Sequence, residues 1–148
     1  MNIFAIAALS ATLAASSITI AHATTPTPAP ASLSLAYTGI TETKGNIMIA
    51  LFDSEAAYQG GKPIRAAMVA ADKPDVSTLL EGLAPGRYAI KSFHDVDGDG
   101  QMGSNPFGMP TEPFAFSNNA KGAMGPASWA DAAFDVTAGK NAQTITIQ

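Results

Sequence analysis

Three aspartates stand at alternate positions in Asp95-Val96-Asp97-Gly98-Asp99-Gly100. Like charges held this close repel, and gathering them round one point raises the cost unless a cation joins them. The pattern D-x-D-x-D-G matches the first half of a calcium loop. In such loops the first, third and fifth residues give carboxylates, the glycine allows a sharp turn, and the seventh gives its carbonyl. Those ligands would be Asp95, Asp97 and Asp99, with Gln101 as the carbonyl donor. Every donor is a hard oxygen, so calcium is the expected ion. The second half of the loop departs from the pattern. Gly103 and Pro106 occupy the ninth and twelfth positions, where an EF-hand has a side-chain or water-mediated ligand and a bidentate Glu. Glu112 can complete the shell if the chain folds back, and Ser104, Asn105 or backbone carbonyls are alternatives. A shell with so few charges implies an affinity of about 10⁻⁴–10⁻³ M. The competing reading is an acidic turn whose Asp side chains bond their own backbone.

Other reaction chemistry is sparse. The chain has no cysteine, which excludes disulfides, thiolate metal sites and a cysteine nucleophile. His94 is the one histidine beyond the leader. A hydrogen bond anchoring the loop is its simplest role, in preference to a Ser-His-Asp arrangement. Glycines 98, 100, 103 and 108 lie in an irregular segment without a P-loop lysine. The leading reading is therefore non-enzymatic. A metal-dependent hydrolase using the acidic loop is the alternative, as is a carbohydrate- or peptide-binding accessory module.

The elements that must position this loop are strands. Leu33, Leu35 and Tyr37 alternate with Ser34 and Ala36. Ile47, Ile49 and Leu51 line one face of the next segment, with Met48, Ala50 and Phe52 on the other, as expected of a central strand covered on both sides. Further strands are expected at 64–69, at 76–80, at 86–93 after the turn Leu83-Ala84-Pro85-Gly86, at 134–136 and at 144–147. Two single helical turns are expected: one capped by Asp53, and one from the capping box Ser128-Trp129-Ala130-Asp131. The fold class is all-β, an antiparallel β-sandwich of about seven strands. The long segment from Asp95 to Ser128 carries Phe107, Met109, Phe114, Phe116 and Met124. Those side chains are expected to pin it onto the sheet. Asn118-Asn119 suits a left-handed turn.

Before the domain the composition changes. Of the 148 residues, the first 41 contain no Asp, Glu, Lys or Arg. An apolar run ends at Ala21-His22-Ala23, a small-x-small cleavage pattern, so residues 1–23 read as a signal peptide. Ser10, Thr12, Ser16 and Ser17 interrupt the run, which suits a membrane-spanning anchor poorly. Residues 24–31 (TTPTPAPA) read as a Pro/Thr-rich linker, and residues 32–148 as the β-sandwich domain. The expected location is periplasmic or secreted, with no membrane span in the mature chain. The net charge of −4 excludes nucleic acid as an expected partner. An envelope protein or a glycan is the expected kind of partner.

Several segments together resemble domain-of-unknown-function family 2141, a group of exported bacterial proteins. They are His94-Asp95-Val96-Asp97-Gly98-Asp99-Gly100, Phe107-Gly108-Met109-Pro110, Glu112, Phe116-Ser117-Asn118-Asn119-Ala120, and the stretches 45–53, 83–90 and 129–134. The resemblance spans about residues 33–148 and implies a prealbumin-like sandwich, similar to carboxypeptidase regulatory domains. It assigns no activity. The family commonly carries Asp where this chain has Gly103, which would remove one possible metal ligand here.

Overall fold

The computed structural model describes residues 29–148. The expected signal peptide and most of the expected linker lie outside the described residues. In chain order the elements are β1 (Ala31–Thr38), β2 (Asn46–Phe52), α1 (Glu55–Gly60), β3 (Arg65–Ala70), β4 (Val76–Leu83) and β5 (Gly86–Asp95). There follow β6 (Phe114–Phe116), a 3-10 turn (Ser117–Asn119), α2 (Trp129–Ala132), β7 (Phe134–Val136) and β8 (Gly139–Thr146). Each expected strand is present. The eighth strand, β6, lies within the long segment from Asp95 to Ser128, where the sequence predicts no strand. The helix α1 starts one residue later than expected, with Ser54 rather than Asp53 as its cap. At α2 the Ser128 Oγ accepts from the Asp131 amide at 3.2 Å, and Asp131 Oδ2 lies 2.6 Å from that hydroxyl.

The strands form two sheets, one ordered β4-β1-β8 and the other β3-β2-β5, with β6 and β7 both on the far edge of β5. The expectation of a purely antiparallel sandwich needs one correction, because β1 and β8 run parallel. Alternation of apolar residues sets which face is buried. It says nothing about strand direction, and these two strands come from opposite ends of the domain. The last expected linker residue also belongs to the sheet, since Ala31 opens β1.

The main core lies between the sheets. Leu33, Leu35 and Tyr37 of β1 and Ile145 of β8 are fully buried, as are Ile47 and Leu51 of β2 and Ile90 of β5. Each such aliphatic side chain contributes roughly 1.5–3 kcal/mol. A second cluster covers the outer face of the larger sheet. It joins Phe52, Tyr58, Ala89, Phe116, Ala127 and Ala132, with Trp129 packed against it. Both faces of β2 and β5 are thus covered, as the two-sided apolar pattern of β2 requires.

One serine closes a gap in this sheet. Along β5, β7 pairs residues 86–88 and β6 pairs residues 91–93. Between them the Ile90 amide donates to Ser117 Oγ at 2.8 Å, and Ser117 donates to the Ala132 carbonyl at 2.6 Å. Asn118 and Asn119 hold left-handed backbone, with φ of 58° and 52°. Asn118 donates to the carbonyls of Asp131 and Ala133. Asn119 donates to the Thr144 carbonyl and accepts from the Thr146 amide, tying this turn to β8. The Ser-Asn-Asn segment is a seam between elements.

The Tyr37 hydroxyl is the one buried side-chain polar atom among the described residues without a hydrogen bond. Burial pushes its phenol pKa far up, opposed in part by Ser92. Ser117→Ala strands a buried amide and a buried carbonyl together and should cost about 2–3 kcal/mol. Tyr37→Phe removes an unpaired group and should leave stability unchanged or raise it by about 1 kcal/mol. Urea denaturation midpoints of the two variants check both expectations.

Candidate metal centre

Strand β5 delivers the acidic loop. His94 and Asp95 end the strand and are 1% and 2% exposed. The His94 ring Nε2 lies 2.7 Å from the Lys44 carbonyl. A carbonyl only accepts, so Nε2 carries a proton and the ring anchors the segment before β2. The His94 amide donates to the Pro113 carbonyl at 2.8 Å. The loop-anchoring role expected from the sequence is the one found.

Asp95 organises the turn that follows. Its Oδ1 accepts from the Gly98 amide at 2.9 Å and its Oδ2 from the Gly100 amide at 3.0 Å. Asp97 accepts from the Asp99 amide, and Asp99 from the Gln101 amide, each two residues on. The acidic turn bonded to its own backbone is therefore present. So is the convergence. One carboxylate oxygen from each of Asp95, Asp97 and Asp99 lies within 4.8 Å of the others. At that spacing each pair of charges repels by roughly 1 kcal/mol even with full water screening. No lysine or arginine among the described residues forms an ion pair with them; Lys44–Glu42, at 3.1 Å, is the pair that exists. Backbone amides offset part of the repulsion without cancelling the charge. Three hard-oxygen donors that converge in this way could hold a metal ion.

The remaining expected ligands are placed differently. Glu112 does fold back, but it acts as a clamp. Its Oε1 accepts from the Val96 amide and its Oε2 from the Gly103 amide, each at 3.0 Å, so it fastens both ends of the loop. It is not among the converging carboxylates. Gln101 is exposed, with its amide on Asp99. At Gly103 an added Cβ would lie 2.6 Å from Thr111 Oγ1, so the loop is closed tightly there.

Beyond the loop proper, Asn105 Oδ1 accepts from the amides of Phe107 and Met109 and shapes a tight tip. The tip shows its apolar side chains to solvent. Phe107 is 88% exposed and Met109 59%, and Met124, in the separate segment between the 3-10 turn and α2, is 104% exposed. The expectation that these residues pin the segment to the sheet fails for all three. Phe116 is buried and Phe114 partly so, and these two make the packing contact through β6.

The model of the bacterial family described as an uncharacterized protein conserved in bacteria (DUF2141) matches residues 36–145. The chain belongs to that family. No curated protein and no solved structure matches it. The family match spans β1 to β8 and includes the whole acidic loop. None of the helices among the described residues is long and apolar enough to cross a membrane.

Sequence reasoning did not single out Gly45 as a site residue. Its φ is 69°, and a Cβ there would sit 2.0 Å from the Asp95 carbonyl oxygen. Asn46 pairs with Asp95 in the sheet, so Gly45 is where the β2 entry presses against the root of the loop. Gly98 also has positive φ, at 79°, but faces open space. Gly98→Ala should therefore cost about 1 kcal/mol from backbone strain alone. Gly45→Ala adds a backbone collision and should cost at least about 3 kcal/mol. Denaturant titrations of the pair separate the two effects.

Proposed function

We propose that this protein is an exported, non-enzymatic binding or structural module of the bacterial cell envelope whose His94–Glu112 loop is ordered by calcium. The observation that carries the reading is the convergence of Asp95, Asp97 and Asp99 oxygens within 4.8 Å. Calcium suits a donor set made only of hard oxygens, and it tolerates a shell completed by carbonyls and water. The ion's role is structural. It relieves the repulsion among the three carboxylates and holds one shape in the segment that displays Phe107 and Met109. Export rests on the apolar leader ending at Ala21-His22-Ala23. A non-enzymatic role is favoured because His94 is committed to the Lys44 carbonyl and is almost wholly buried.

Calcium titration under thermal melting tests this. At calcium about tenfold above the dissociation constant, the native state gains about 1.4 kcal/mol. That gain should raise the midpoint by several degrees. In Asp97→Asn with Asp99→Asn the side-chain acceptors of the turn survive and two charges are lost, so the calcium response should vanish while the fold remains. A response that persists in the double variant, or none in the parent at millimolar calcium, overturns the reading.

A further inference from the structure

A second feature stands apart from the acidic loop, on the outer layer of the larger sheet. Lys91 is placed midway along β5, between Ala89 and Phe93 on the outer face. Its ammonium lies 4.2 Å from the Tyr58 ring centroid and 5.4 Å from that of Phe52. It donates to the Tyr58 carbonyl, 2.6 Å away. An ammonium has three N–H groups, so two remain for other acceptors. No carboxylate among the described residues forms an ion pair with Lys91. Burial pulls its pKa below the ordinary lysine value, so the charge is held there at a cost.

Lys91 forms part of the lining of an open cleft of about 250 Å³. The single tryptophan of the chain, Trp129, forms part of the wall, with Glu55, Tyr58 and Gln59 of α1. The aromatic side is rigid. Tyr58 packs edge-on between Phe52 and Trp129, at centroid distances of 5.5 and 5.8 Å, and its hydroxyl donates to the Ala127 carbonyl at 3.0 Å. Glu55 is exposed and accepts from Gln59 Nε2 at 2.9 Å.

The cleft thus combines an unpaired cation, an indole wall, and a carboxylate–amide pair able to accept and donate. A bare inorganic anion would use Lys91 alone and leave Trp129 and the Glu55–Gln59 pair unused. A purely apolar ligand would leave Lys91 unmatched. We propose that the cleft binds one ring of an acidic sugar of the uronic acid class. The sugar carboxylate meets Lys91, a C–H face of the ring lies on Trp129, and ring hydroxyls bond Glu55 and Gln59. This inference rests on the outer layer alone and does not require a cation on the aspartates.

Trp129 fluorescence of the full chain reads occupancy directly, and calorimetry serves the tryptophan variants. Glucuronate should bind with a dissociation constant of about 1 mM, with glucose and acetate each at least about tenfold weaker. Lys91→Met keeps the stem over the rings and should reduce glucuronate binding to the level of glucose. Trp129→Phe should weaken glucuronate severalfold while leaving the melting midpoint close to the parent value. Glucose or acetate binding as tightly as glucuronate overturns the proposal. So does full glucuronate affinity in Lys91→Met, or no binding of any of the three at about 50 mM.

Discussion

A sheet that is apolar on both faces cannot stand in water, and the larger sheet of this protein is such a sheet. β2 presents Ile47, Ile49 and Leu51 to one side and Phe52 to the other. One side is covered by the smaller sheet. The other needs a second layer, and only the connections between strands are available to build it. The short helices, the Ser-Asn-Asn seam and the tryptophan follow from that need. The hydrogen bonds of Ser117 and Asn118 are what hold such slight pieces in place without long helices. This also explains why a lysine on that layer ends up walled by rings.

The same strand that requires the covering also launches the acidic loop. β5 passes from the apolar interior at Ile90 to the buried, fully bonded Asp95 within five residues. Asp95 is held by amides ahead of it in the chain, and Glu112 clamps the loop from behind. The carboxylates therefore do two jobs. They replace missing backbone partners in a segment with little regular structure, and they gather negative charge at its mouth.

Much of this was legible in the residues. Period-two alternation located the strands, because a half-buried strand must alternate and a doubly covered one need not. The D-x-D-x-D-G spacing identified the carboxylates that converge, since alternate residues in such a turn point inward together. Other features were hidden for physical reasons. β6 is three residues long and follows Pro113, too short to show a period. Phe107, Met109 and Met124 are apolar, and composition alone gave no sign that Asn105 would hold the first two out in solvent. Gly45 carries no local signal, because the neighbour it presses against lies fifty residues away. Lys91 shares its face of β5 with Arg87 and Asp95, so its alternation alone does not mark it; only the rings of Phe52 and Tyr58, from other elements, do so.

The parallel pairing of β1 with β8 orients the molecule. Ala31 sits beside Gly139, and β7 brings Val136 beside Gly86 at the start of β5. At the other end, Ile147 bonds Thr38 and Gln148 pairs with Phe114, next to where β5 hands over to the aspartates. Ala31 and Gln148 thus lie at opposite poles, and β1 spans roughly 25 Å between them. A partner that covered Ala31, Gly86 and Gly139 would therefore leave the aspartates free, at the opposite end of both sheets.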